Sequence, residues 1–255
     1  MNRITLLGLT AISCSVLCAN ENPGKRDAPR KDRVVIVSAH PDDLGGQMGL
    51  ALLLGEKCEL HVVDYTHGER GCGEEKFRSG WTKKTRTAEE ESVCAALGAK
   101  LWWLDEIDGE AMAGRETCER LADIFKRLQP RALILHWPVD SHNDHVMSAA
   151  AALRAKQLAG ISPEIYFHEQ GQQSRGFVPV YFVPVTSVAD RKAELIRKYA
   201  CQHGDRMAER KAALDTVRAG QCFGYSDEKT EAYSVMQGTV KAGKALLDEV
   251  PGVTH

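Results

Sequence analysis

The sequence predicts an α/β fold, a Rossmann-like three-layer sandwich with a mostly parallel sheet and its active site at the carboxyl ends of the strands. Three observations carry that expectation. Val34 to Val37 is a β-branched run too continuous for a half-exposed strand, so it suits a central strand covered on both faces. Strand-like and helix-like segments then alternate, as βαβ units require. Finally, two clusters of ionisable residues, His40-Pro41-Asp42-Asp43 and His136 to His145, fall on strand-to-helix turns, where such sheets place their ligands.

In chain order, the first 20 residues have the outline of an export leader. Arg3 is followed by a mostly apolar run from Ile4 to Ala19 and then by polar Asn20-Glu21-Asn22-Pro23. The run is too short and too weakly apolar for a spanning helix, so no integral membrane span is expected beyond the leader. The chain is therefore expected in the periplasm, secreted or, through Cys14, lipid-anchored; a cytoplasmic chain is the alternative. Residues 21–32, with Pro23, Gly24 and Pro29 among charges, form a flexible lead-in. One folded domain is expected over residues 33–240, followed by a tail over 241–255.

Pro41 cannot donate a strand hydrogen bond and biases His40 toward extended backbone, which stops the first strand and turns its polar side chains into a crevice. Met48 to Leu54 is a helix ended by Gly55, and Glu59 to Tyr65 a second strand. Thr66 to Gly80, with four glycines among charges, is a loop long enough to form part of a mouth. Lys83 to Leu97 is a helix, Lys100 to Leu104 a third strand and Asp105 to Gly114 another loop. The amphipathic helix Glu116 to Leu128 ends at Gln129-Pro130, before the apolar strand Ala132 to Leu135 and the Ala-rich helix Val146 to Leu158. Beyond Glu164, Ile165 to Phe167 and Val180 to Val183 are strands, and Val188 to Tyr199 and Asp205 to Ala219 helices. The sheet is expected to end in an antiparallel or partly separate piece. After Lys241 a helix and a frayed tail are expected.

A chain of 255 residues with 43% hydrophobic residues can bury a full core as one domain. Its net charge of −2 leaves no Lys/Arg excess to neutralise phosphates, which argues against nucleic-acid and anionic-membrane partners and leaves a small-molecule or glycan substrate. Oligomeric state is not legible. Six cysteines follow the leader with no C-x-x-C pair among them, so no zinc knuckle or redox motif is spelled out. Cys58, Cys94 and Cys118 lie in helical or strand-like patterns where a buried free thiol is the common outcome.

The chemistry lies in the two clusters. A neutral imidazole and a carboxylate three positions apart, His40 and Asp43, can reach one divalent ion and leave Asp42 free beside it. That division suits hydrolysis, with one acid on the metal and the other taking a proton from activated water. One such Asp would also suit a helix N-cap. Two ligands are one short of a three-ligand catalytic zinc site, and the turn after the strand at Ala132 to Leu135 has His and Asp to supply the third.

Val37-Ser38-Ala39-His40-Pro41-Asp42-Asp43 followed by glycines resembles the signature of the PIG-L / LmbE-like zinc N-deacetylases. Three further stretches are similar to the family's pattern: His67-Gly68-Glu69-Arg70-Gly71, the helix with Arg86-Thr87-Ala88-Glu89, and Asp108-Gly109. Asp140-Ser141-His142-Asn143-Asp144-His145 resembles its Asp-x-His-x-Asp-His segment, and Glu231-Ala232-Tyr233 its Glu-Ala-aromatic motif. The likeness runs from about Arg33 to Tyr233 and is faint between Ile161 and Asp205, where only His203 survives of a His-x-Ser-Gln motif. Leu44 replaces a Glu common in the family.

The resemblance implies Zn²⁺, or another divalent metal, held by His40, Asp43 and His145. It implies Asp42 as general base and His142 as the second catalytic group, with Asp144 or Asp140 orienting His142. Glu69, Arg86 and Asp108 are candidates for contacts to sugar or site loops. The implied reaction is removal of the N-acetyl group from an N-acetylglucosamine-type compound. The alternatives are a zinc amidase on a larger amide or S-conjugate and a non-catalytic glycan-binding protein. A nucleotide-binding Rossmann domain is disfavoured, since no G-x-G-x-x-G follows the first strand and two acids would repel pyrophosphate.

Overall fold

A computed structural model describes residues 31–224, 228–241 and 243–255; the leader and nearly all of the lead-in lie outside these. Strands β1 (Arg33–Ser38), β2 (Glu59–Thr66), β3 (Lys100–Glu106), β4 (Ala132–His136), β5 (Glu164–His168), β6 (Tyr181–Pro184) and β7 (Thr230–Val235) form one sheet. Its order is β3-β2-β1-β4-β5-β7-β6. The first five strands run parallel, and β7 joins β5 and β6 antiparallel. The antiparallel end matches expectation. β7 itself, however, was legible only as a motif, because a six-residue strand inserted between two earlier ones has no local signal of its pairing.

Alternation along β1 explains the layers. Val34 and Ile36 face one core with α1 (Met48–Gly55), α3 (Trp81–Leu97) and α6 (Ala189–Arg197), through Leu50, Leu54, Val93, Leu195 and Ile196. Val35 and Val37 face the other with α4 (Arg115–Leu128) and α5 (Asn143–Ala159), through Leu121, Phe125, Ala151 and Ala155. Full burial of Leu121 and Phe125 stabilises the α4 layer by about 1.5–3 kcal/mol each. The loop after β2 contains a short helix, α2 (Glu74–Arg78), and α7 (Gly204–Phe223) follows α6.

A buried ionic knot ties the antiparallel end to the start of α1. Lys192 Nζ lies 2.6 Å from Asp215 Oδ2 and 2.8 Å from Glu231 Oε1. Glu231 in turn accepts hydrogen bonds from the Gly49 and Leu50 N–H groups (2.7 and 2.9 Å), satisfying donors of the first turn of α1. A Cβ on Gly49 would stand 2.7 Å from Glu231 Oε1, so that position must be glycine. The expected frayed tail is instead packed: Leu246, Leu247 and Val250 join the core, a 3₁₀ turn at Leu247–Glu249 is the only helical piece among its described residues, and Thr254 bridges to Phe182. Among the described residues no helix is long and apolar enough to cross a membrane.

Candidate metal centre

The strand order turns back between β1 and β4, one running on to β2 and the other to β5, and open α/β sheets bind ligands at such a switch point. His40 lies just past β1, His136 ends β4, and His142 caps the N-terminus of α5, which places His145 in that helix's first turn. The Asp43 carboxylate sits between imidazoles. Its Oδ2 is 3.2 Å from His40 Nδ1 and its Oδ1 is 3.5 Å from His145 Nε2. Oδ2 also accepts the His40 N–H at 2.9 Å, a bond that closes the turn.

Three trios of donor atoms each lie within 4.8 Å of one another: His40, His142 and His145; Asp43, His136 and His145; His40, Asp108 and Asp144. Among the described residues no trio holds all three expected ligands: the first has His40 and His145, the second Asp43 and His145, and Asp43 lies against both rings. The donor chemistry fits a divalent cation. Burial opposes charge on His145, yet the Asp43 charge and hydrogen bonds to Asp140 and Asp43 carry its pKa up to about 9. Burial likewise opposes charge on His40, which bonds to Asp108, Asp144 and Asp43 raise well above the ordinary imidazole range. A cation here replaces protons that the cluster otherwise has to hold. Both rings also carry the outer support usual for ligating histidines, with His145 Nδ1 3.0 Å from Asp140 Oδ1 and His40 Nε2 3.1 Å from Asp144 Oδ2.

These pairings revise the expected role of Asp144. Its carboxylate faces His40 and the Gly109 N–H (2.7 Å), while Asp140 serves His145; neither meets the His142 ring. The helix start decides this, because the His142 Nδ1 accepts the Asp144 backbone N–H and so turns the ring away from both carboxylates. Asp108 lies 3.3 Å from His40 Nε2 and accepts the Arg70 N–H at 3.0 Å, and Glu69 takes the Asp108 N–H at 3.3 Å. Both therefore brace the loops around His40.

Arg86 does not pair with Glu89 along its helix. It reaches Asp42 Oδ1, Pro41 O and Gly68 O, while Glu89 accepts the Cys201 N–H. A Cβ on Gly68 (φ 60°) would fall 2.4 Å from the guanidinium, so this glycine admits the arginine. Asp42 is itself left-handed (φ 95°), a strained conformation for a non-glycine residue and one concentrated at functional sites. Burial pushes its pKa up to about 6 against the pull of Arg86. As a base Asp42 must be ionised, so activity should fall as pH drops through that region. Arg86→Gln removes the opposing cation and should move the acid limb of kcat/KM upward by about one pH unit, a scale set by the usual effect of a neighbouring charge. An unmoved limb in the variant would separate Arg86 from Asp42 titration.

The site also includes residues to which the sequence reading gave no role. His136 Nε2 accepts the Ala39 N–H at 3.1 Å and lies 3.4 Å from Asp43 Oδ2, with burial holding its pKa down to about 4. The Gln170 amide donates to Asp43 O at 2.8 Å, and Lys211 donates to Gln170 Oε1. Asp42, Asp43, Gln170, Gln172, Gln173, Arg210 and Lys211 open onto a cavity of about 770 Å³ against α7. Only His136, at a strand end and the first residue of the second cluster, had a signal that could have found it. Leu44, in place of the family's Glu, is fully buried in the core.

Fold and site together define a class, an α/β enzyme scaffold whose switch point offers imidazoles and carboxylates to a metal. The profile of the PIG-L family, described as GlcNAc-PI de-N-acetylase, matches residues 35–156. A 4-oxalmesaconate hydratase of Pseudomonas putida is 31% identical over 196 residues, spanning 69% of this chain and 76% of that one. Among solved structures, the 4-carboxy-2-hydroxymuconate hydratase of Pseudomonas putida KT2440 superposes with a TM-score of 0.71 at 26% identity, over 84% of this chain and 100% of that one. The N,N'-diacetylchitobiose deacetylase of Pyrococcus horikoshii superposes with a TM-score of 0.69 at 23% identity, over 80% and 84%, a likeness of fold. The chain belongs to the PIG-L family. The family holds enzymes of deacetylase and hydratase type, and this chain is an enzyme of that superfamily.

Proposed function

We propose that the protein is a zinc-dependent enzyme, the metal held by His40, Asp43 and His145, that adds water to a small anionic substrate, an unsaturated oxo-polycarboxylate being the class. The carrying observation is Lys211. It is partly buried on the cavity wall, its hydrogen-bond partner is the neutral Gln170, and no carboxylate is in ion-pair reach among the described residues. Desolvation lowers its pKa, a cost that an incoming carboxylate offsets. Arg210 and three glutamine side chains line the same cavity, and among the described residues no aromatic ring that would stack on a sugar does. The hydratase relative at 31% identity supports the same class.

Bound at this site, a divalent cation would acidify water and polarise a substrate oxygen. Asp42 takes the proton of the attacking water, and Arg86 fixes the carboxylate in place. Burial and the charges of His40 and His145 hold the His142 pKa below its ordinary value, so this ring readily surrenders a proton gained in turnover. In a hydration that proton goes to carbon; in amide cleavage it goes to the departing amine. The second reading, N-deacetylation of an N-acetylglucosamine-type sugar, keeps every one of these roles. It is favoured by the family profile, whose description is a de-N-acetylase.

Substrate assays separate the two. Zinc-loaded protein should bleach the absorbance of a conjugated oxo-polycarboxylate such as 4-oxalmesaconate, lose that activity to a chelator, and release no acetate from N,N'-diacetylchitobiose. Lys211→Met should raise KM for the polycarboxylate by roughly 10- to 100-fold, the worth of a charge-assisted contact. Chelator-sensitive acetate release without hydration would replace the first reading with the second.

A further inference from the structure

Outside the metal centre a pair of reactive groups is formed by two cysteines, Cys72 and Cys201, brought together from positions 129 residues apart. Cys72 lies in the loop after β2, one residue past the Gly68–Gly71 turn that encloses Arg86. Cys201 lies in the 3₁₀ turn Ala200–Gln202 between α6 and α7. The Cys72 thiol points at the Cys201 carbonyl (Sγ to O 3.6 Å). One amide spans both sulfurs, with Gln202 Nε2 3.4 Å from Cys72 Sγ and 3.8 Å from Cys201 Sγ. Neither thiol is part of the apolar core, and both are partly exposed, unlike Cys58, Cys94 and Cys118, which are buried and free.

We propose that Cys72 and Cys201 form a reversible disulfide that staples the active-site loop to the α6–α7 junction. The oxidant is a small disulfide. The Cys72 thiolate attacks its S–S bond and expels one thiolate, and the Cys201 thiolate then attacks Cys72 Sγ and expels the second. Two protons and two electrons leave the protein, one S–S bond forms, and the oxidant departs as two thiols. Burial and the Glu89 carboxylate beside Cys201 push its thiol up to about 12, which makes Cys201 a poor first nucleophile. The Gln202 amide, within hydrogen-bond reach of both sulfurs, has to move aside for them to meet. The staple would hold the turn whose Gly68 and Gly71 face the guanidinium of Arg86, and through Arg86 it would bear on Asp42.

The test is incubation of the full-length protein with oxidised glutathione, followed by intact mass, thiol counting and peptide mapping. The expected result is loss of two hydrogens in mass and of two free thiols, with a Cys72–Cys201 cross-linked peptide and reversal by dithiothreitol. Oxidised wild type should melt about 5–10 °C above the reduced form, as expected when a long loop is closed without strain, and Cys201→Ser should show no such difference. A persistent glutathione adduct on either residue, a cross-link through another cysteine or between chains, or eight unchanged thiols would each overturn the proposal. Peptide mapping reads the wild type directly, so the outcome does not depend on the folding of Cys201→Ser.

Discussion

Alanine at His40, Asp43 or His145 is expected to remove the bound divalent ion, with turnover falling about a thousandfold or more, whereas Asp42→Asn should keep the ion and slow turnover by roughly a hundredfold or more. The two classes differ because of what each group touches. Asp43 lies between the His40 and His145 rings within 3.5 Å of both, so losing any of the three leaves the others unable to close a ligand set. Asp42 faces Arg86 instead, so its amide analogue keeps the shape and leaves the ligand set intact while removing the basicity and the charge that pairs with Arg86. Elemental analysis of purified variants alongside kcat decides the matter. Full metal occupancy in all three ligand variants would sink the site. Retained metal in His145→Ala but not in His40→Ala would move it to the His40, Asp108 and Asp144 trio.

Lys192→Met should cost about 3–5 kcal/mol of folding stability, roughly 10 °C in melting temperature, although the residue lies away from the chemistry. Its side chain is 4% exposed and holds Asp215 and Glu231 together, so methionine leaves two carboxylates facing each other with no cation. The pH dependence has a definite sign. Burial raises Asp215 to about 6 even with Lys192 opposing, so the ionised carboxylate already costs stability above that pH. Without Lys192 its pKa rises further, and the penalty is relieved as acid protonates it. The loss measured by urea unfolding should therefore be larger at pH 8 than at pH 5. An equal loss at both would mean that packing of the lysine stem, and not its charge, carries the knot.

The parts of the site legible in sequence are those set by neighbours along the chain. A β-branched run ending at Pro41 dictates a strand end, and His40 and Asp43 meet because three residues of tight turn separate them, an arrangement closed by the Asp43 bond to the His40 N–H. Placing the second cluster at the start of a helix was equally local. The orientation of its carboxylates was not. Asp140 and Asp144 each sit near His142 in sequence, and the first turn of α5 points them at His145 and His40 instead. Glu69, Arg86 and Asp108 were legible as positions but not as contacts, because their partners come from other loops.

By itself the sequence determined the strand and helix segments of the parallel half, the two ionisable turns and the residue types available to a metal, all consequences of short-range sterics and hydrophobic period. Tertiary structure alone decided that β7 enters between β5 and β6, that Glu231 satisfies the start of α1 from 182 residues away, and that Lys211 and Gln170 wall the cavity beside Asp43. The physical reason is the same in each case. A buried polar group must find a partner wherever the packed sheet brings one, and that pairing follows from the burial of the whole core and leaves no periodic trace in the chain.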